Sequence, residues 1–543
     1  MQAARYTGAG IFALALSVRA LHLQQVVAHD PFYDQPSVDS LIYVQWAKQL
    51  AAGDWLGNEA FFLSPLYGYL LGLIYRAFGP SFLVPLALNA LFGAVTCALT
   101  WAIARRLFDA RVALAAGLFA CFYRMEIFYE GVPLVESTQT LLCAGLTWVA
   151  LRALETRRAR DFAWAGVLTG LAVLARQNLL LFAPPFTAWV WAEGRGREPI
   201  HRRAALCGAY LAATAGLMGL ATLHNWLAAR DPVLVNSTGG IVLYTGWNPD
   251  ANGAYVVPSL FSRALADDPV EQKDAYRALA EQRVGRAPLR ASEVSSYWRG
   301  EALGWVAAHP ARAAALALEK ARLFWNAFEA WDVRSETLAR PTSWVLGLPL
   351  VCFSLLAPLA VAGIALSAAR WRELFPLYLA LATHFTTFVV FIALSRYRVP
   401  ALSVLAVFAG VTPIALWDAV RAERWRRVAA GAAAALAAAW VVSSGVPREN
   451  LTMAHFNLGN AYKERHEWPP AIAEYTAALH GAPTYISGWN NLALVYEESG
   501  ANRELAAGAW RHVLDLARVQ GSGRHAERAS RHLGALSARA GPP

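Results

Sequence analysis

Long apolar runs separated by short arginine-rich breaks organise the chain. A bilayer-spanning helix takes about 20 predominantly apolar residues. Eleven runs fit that pattern, at about 8–28, 82–104, 112–130, 133–151, 161–175, 178–192, 203–223, 344–367, 374–394, 399–417 and 427–444. The fifth and sixth are short and meet at Arg176-Gln177-Asn178. The first opens the sequence with no evident small-residue cleavage site, so it reads as a retained helix rather than a signal peptide. Leu66–Phe78 is also apolar, but it has only 13 residues, with Pro65 before it and Gly79-Pro80 after it. It predicts an interfacial or re-entrant helix.

The polar remainder divides the chain into four parts. Residues 1–223 form an N-terminal membrane block that includes a first outer loop, 29–64. Residues 224–343 are one large water-facing segment, 344–444 return to the membrane, and 445–543 form a tail. Arginine sets the orientation, because cytoplasmic loops collect positive charge. With the N-terminus inside, seventeen arginines fall in the inner loops, at 105, 106, 111, 152, 157, 158, 160, 195, 197, 202, 203, 370, 372, 421, 424, 426 and 427. The short outer loops then hold only Arg124, Arg176, Arg396 and Arg398. Counting 66–78 as a span would invert every later loop and spoil this pattern.

Composition agrees. Of 543 residues, 57% are hydrophobic and 16% charged, which excludes a disordered chain and an ordinary cytosolic enzyme. The net charge of +10 records topology and needs no nucleic-acid partner. Cys97, Cys121, Cys143, Cys207 and Cys352 lie in apolar runs without CxxC spacing, so neither a disulfide framework nor a zinc site is expected. His22, His29, His224, His309 and His384 are scattered, and no metal signature is visible.

The tail has a 34-residue period. His455, Leu458, Gly459, Tyr462, Ala471, Tyr475, Ala478 and Pro483 have the spacing of a tetratricopeptide repeat. A second copy starts at Trp489 and continues through Leu492, Ala493 and Tyr496. With a one-residue insertion it runs on through Ala506, Trp510 and Val513, and about 523–538 reads as a capping helix. Two repeats and a cap are near the minimum for a stable stack, which predicts docking on the membrane domain. Such a module binds a peptide or protein partner, or serves as a packing element.

Ionisable groups at the outer face carry the candidate chemistry. Ser37 suits a helix N-cap, which places Asp39 in the first turn and Tyr43 on the same face. Glu126, Glu130 and Glu136 lie at the outer ends of the third and fourth runs. Glu136 is expected to face a cavity, and Glu126 and Glu130 to sit at the interface without a catalytic part. Arg176, Arg396 and Arg398 read either as anion-binding forks or as interfacial anchors.

Taken together, several short segments resemble GT-C glycosyltransferases. They are Asp39-x-x-x-Tyr43, Ser64-Pro65-Leu66-Tyr67, Arg105-Arg106-Leu107-Phe108, Pro133-Leu134-Val135-Glu136-Ser137, Arg176-Gln177-Asn178 and Ser395-Arg396-Tyr397-Arg398-Val399-Pro400. The branch is that of bacterial protein O-mannosyltransferase-like and aminoarabinose transferases. Gln177 stands where that branch usually has Pro, and Glu136 where it usually has Asp. Gly239-Gly240, Tyr244-x-Gly246-x-Asn248-Pro249, Gly253-x-Tyr255 and Pro258 are similar to a segment of members with tetratricopeptide tails.

The resemblance implies an all-α polytopic membrane protein: a GT-C-like bundle of about eleven transmembrane helices with outer-face loops and a C-terminal repeat domain. Residues 1–223 would be its catalytic module. It would lie in the bacterial plasma membrane, with the repeats on the periplasmic side. It would transfer a sugar from a polyprenyl-phosphate donor to an acceptor hydroxyl of a protein, lipid or glycan. Asp39 would be the general base, with inversion at the anomeric carbon, and Glu136 a second acid. Arg176, Asn178, Arg396, Arg398, Tyr43 and Tyr67 would bind or orient donor and phosphate. No cofactor is required, although Asp39 and Glu136 together also suit a bracketed divalent cation. The competing readings are an O-antigen-ligase or polymerase type of enzyme, a transporter or flippase, and an envelope scaffold.

Overall fold

A computed structural model describes residues 2–36, 38–256, 258–261, 269–500 and 502–538. Among them the fold is all-helical, and the single β-like contact is an isolated parallel bridge between Tyr123 and Val351. The chain is a multi-pass membrane protein. By length and composition, five helices among the described residues are long and apolar enough to cross a membrane: Tyr6–His29, Leu83–Leu107, Ile200–Ala229, Phe353–Arg370 and Ser395–Arg421. Among the other expected runs, Ala159–Ala175 and Phe375–Val390 form shorter helices, while Glu136–Thr156 and Trp425–Ser443 are long enough but less apolar.

Three runs differ from the continuous helices expected. The run at 112–130 breaks after Ala110–Cys121 and resumes as the short helix Arg124–Glu130. The break is stabilised from outside the helix: Arg124 N donates to Val351 O at 2.9 Å, and Val351 N donates to Phe122 O at 2.9 Å. Trp344–Gly347 form a separate helical turn and Val351 makes that contact, so the following helix starts at Phe353. The run at 178–192 enters through a 3₁₀ turn, Gln177–Phe182, and becomes α-helical at Ala183, where Pro184 and Pro185 need no helical N–H partners.

The short apolar run at 66–78 forms the helix Pro65–Phe78. Tyr67, Leu71 and Tyr75 are buried, while Leu73 and Phe78 are exposed. It packs on the Asp39–Ala51 helix, where a Cβ at Gly68 would meet the Trp46 ring. Trp164, Leu220, Trp417, Trp425, Leu436 and Trp440 are exposed on the membrane helices, as lipid-facing side chains are.

The 224–343 segment has its own core, in which Tyr244, Phe261, Tyr276 and Trp298 pack together. Among the described residues the tail forms five helices: Thr452–Glu464, Trp468–Gly481, Ile486–Glu498, Arg503–Gln520 and Gly523–Ala538. Small and aromatic residues of the 34-residue period meet inside it, with Ala471, Tyr475, Ala478, Ala493, Ala506, Trp510 and Val513 all buried. The tail touches the rest of the molecule. Arg465 pairs with Asp34 at 3.2 Å, and Ala454, Asn457 and Leu458 line a small cavity with Asp30, Phe32 and Arg334.

Candidate active site

The Asp39–Ala51 helix begins abruptly. Ser37, the expected cap, lies outside the described residues; Val38 stands immediately before the helix and makes no side-chain cap bond. Its φ of 52° is a left-handed conformation that a β-branched residue rarely adopts. Strain of this kind collects where a neighbouring side chain must be aimed. The neighbour here is Asp39.

Glu136 opens another helix, Glu136–Thr156, where the macrodipole favours a carboxylate. Arg176 is an extended residue between the Ala159–Ala175 helix and the 3₁₀ turn, so its side chain leaves both helix axes. Arg396 lies in the single turn Ser395–Arg398, whose Ser395 N donates to Ala330 O at 2.8 Å.

These elements converge. Arg396 Nη1 lies 2.7 Å from Asp39 Oδ2 and 3.9 Å from Glu136 Oε1. Arg176 pairs with Glu136 Oε1, and its guanidinium lies 4.5 Å from the centre of the Tyr397 ring. The other fork of Arg396, Nη2, reaches Asp332 Oδ2 at 2.5 Å. Residues far apart in sequence thus form one cluster of three carboxylates and two guanidinium groups. The Asp39 side chain is 23% exposed and that of Glu136 only 1%, so of these two acids Asp39 is the one open to a reactant.

Tyr43 is buried behind Asp39. Its hydroxyl donates to Ser64 O at 3.5 Å, and its ring meets Tyr67 edge to face at 5.1 Å. Burial, and then the nearby Asp39 charge, push its pKa up. Asn178 makes no hydrogen bond to the cluster, and its buried Oδ1 has no partner among the described residues. Arg398 points elsewhere. It donates to Phe324 O at 3.0 Å and Asn326 O at 2.8 Å, pairs with Glu329 at 2.7 Å, and covers the Phe353 ring at 3.5 Å.

Asp332 is the residue that sequence reasoning missed. It is one of many acids in the 224–343 segment, and no motif marks it. Burial holds its carboxyl above the usual range against the pull of Arg396, and Asp39 and Glu136 add to the rise. Tyr255, from Gly253-x-Tyr255, is a second addition: burial pushes its hydroxyl up to about 12, and Asp332, Asp39 and Arg396 all act on it. Its oxygen accepts from Gln272 Nε2 at 3.0 Å.

Between Asp39 and Glu136, where a bracketed metal ion would sit, the positive charge is the Arg396 guanidinium. Among the described residues no three His, Cys, Asp or Glu side chains are grouped to hold a metal ion.

Residues 63–226 match the family model described as dolichyl-phosphate-mannose-protein mannosyltransferase. The sequence matches none of the curated proteins compared with it. Among solved structures, the chain is similar to the apo oligosaccharyltransferase of Archaeoglobus fulgidus, with 14% identity and a TM-score of 0.46 over 86% of this chain and 59% of that one. It therefore spans about three-fifths of that protein's length. The oligosaccharyltransferase AglB from Archaeoglobus fulgidus, in complex with an inhibitory peptide and a dolichol-phosphate, gives 15% identity and a TM-score of 0.42 over 86% and 60%. ArnT from Cupriavidus metallidurans bound to undecaprenyl phosphate gives 15% and 0.39 over 93% and 80%.

Proposed function

We propose that the protein is a membrane glycosyltransferase that moves a sugar from a polyprenyl-phosphate donor to an acceptor hydroxyl at the outer face. The observation that carries this reading is the convergence of Asp39, Glu136, Arg176 and Arg396 at the ends of four separate elements. The family match over 63–226 supports it.

Asp39 is the general base. Its carboxylate takes the acceptor proton as the acceptor oxygen attacks the anomeric carbon, and the lipid phosphate leaves from the opposite face with inversion. Phosphate is a good leaving group, so no general acid is needed. Arg396 and Arg176 present guanidinium forks to the phosphate oxygens, a geometry a lysine does not supply. Glu136 holds Arg176 in place. Tyr43 and Tyr67 form the wall behind Asp39, with Asn178 at the edge of the donor path. In this reading Arg396 supplies the positive charge beside Asp39, and chelation is expected to leave the rate unchanged.

The protein lies in a bacterial inner membrane with its N-terminus in the cytoplasm. Its tail is a periplasmic tetratricopeptide domain that receives a protein partner or the acceptor. Deleting 445–543 is expected to spare donor binding and impair acceptor use.

Mass analysis of lipid extracted from the purified protein tests the donor class: a polyprenyl-phosphate sugar is expected, and its replacement by bulk phospholipid alone would count against it. Transfer by Asp39→Asn at the wild-type rate would overturn the assignment of the base.

A further inference from the structure

The site holds more negative than positive groups before any donor arrives. Asp39, Glu136 and Asp332 face Arg176 and Arg396. A polyprenyl-phosphoryl sugar is a phosphodiester and brings one further negative charge. Uncompensated charge in a buried site is costly, so something must neutralise it.

The three acids are not equally free to do so. Asp39 must stay ionised to act as the base. Glu136 is fully buried and committed to Arg176. Asp332 cannot swing away from Arg396, because its segment is fixed on both sides. Ala330 O accepts from Ser395 N at 2.8 Å, and Arg334 forms a buried ion pair with Asp30 at 2.5 Å. Val333 N also donates to Asp332 Oδ1 at 2.8 Å, which fixes the rotamer and leaves Oδ2 on Arg396.

We propose that Asp332 is a positioning residue for the donor: it takes one proton from solvent on Oδ2 as the phosphate enters, and so frees the Nη2 fork of Arg396 for a phosphate oxygen. The guanidinium exchanges a carboxylate for a phosphate, and the net charge of the cluster is unchanged. This inference rests on the function proposed above. Burial already holds the Asp332 carboxyl above the usual carboxylate range, which lowers the cost of protonating it. The charged and titratable groups facing it are Arg396, Asp39, Glu136, Tyr129 and Tyr255. On its own segment, Glu329 is committed to Arg398.

The test is binding of undecaprenyl methyl phosphate, a diester whose charge does not titrate near neutral pH, to the full-length protein in nanodiscs. Above the Asp332 titration, affinity is expected to fall about tenfold per pH unit, as required when one proton is taken up per ligand. Calorimetry in two buffers of different ionisation enthalpy should show uptake of about one proton. Asp332→Asn should remove both the slope and the buffer dependence, and Asp332→Glu should keep them. If Asp332→Asn does not fold, the two-buffer experiment on the wild type and on Asp332→Glu still decides. Binding with a buffer-independent enthalpy, or a slope retained in Asp332→Asn, overturns this inference alone. No binding by the wild type at any pH overturns the function reading as well, and this inference with it.

Discussion

Arg396 and Arg398 are two residues apart in one helical turn, yet they have different tasks. Arg396 faces side-chain carboxylates, with Asp39 on one fork and Asp332 on the other. Arg398 faces the backbone. Its guanidinium holds the carbonyls of Phe324 and Asn326, with Glu329 as counter-ion. The same residue type therefore serves a charged cluster open to reactants in one case and the closure of a chain segment in the other. Side-chain carboxylates can exchange for a ligand anion, whereas backbone carbonyls cannot. A short motif containing both arginines thus sends one side chain to the carboxylate cluster and the other to the backbone.

The comparison can be tested by substitution. Asp39→Asn keeps the shape of the cluster and removes the proposed base, so transfer should fall roughly 10²–10⁴-fold. The thermal midpoint should stay within a few degrees, read by scanning fluorimetry in the same detergent. Arg398→Met should do the reverse. It strands Glu329 and the 324–326 carbonyls and should cost about 3–5 kcal/mol of stability. What remains folded should keep the wild-type catalytic rate per active molecule. A wild-type midpoint in Arg398→Met would erase the distinction between the two arginines. Arg396→Lys keeps the charge but cannot reach Asp39 and Asp332 together. Misplacing the base and phosphate site this way should lower kcat/KM roughly 10²-fold, chiefly through donor KM, with little change in midpoint. The exposed Asp34–Arg465 pair between loop and tail is the mild case. Arg465→Ala should change stability by no more than about 1 kcal/mol, and transfer at saturating acceptor should be unaltered.

Much of this was readable from the chain. The apolar runs marked most of the apolar helices, the bracketing prolines and glycine marked the Pro65–Phe78 helix, and the 34-residue period located the buried faces of the tail. Asp39, Glu136, Arg176 and Arg396 were named from their outer-face positions, and the fold brings all four together. The break at 122–123 was not readable. Its missing hydrogen bonds are made by Val351, more than two hundred residues away, and apolar periodicity carries no record of such a partner. Asp332 was invisible for the same reason: an acid in a water-facing segment looks solvated until the fold buries it against Arg396.

Sequence alone determined most of the helical elements, because hydrophobic run length acts on each segment independently of the others, and arginine distribution set the expectation of their sidedness. Tertiary structure decided which charges share a space. It set Arg396 between Asp39 and Asp332, turned Arg398 toward the 324–329 backbone, and left Asp39 more exposed than Glu136. Ion pairing depends on distances of a few ångströms between segments hundreds of residues apart, and only the packed chain sets those distances.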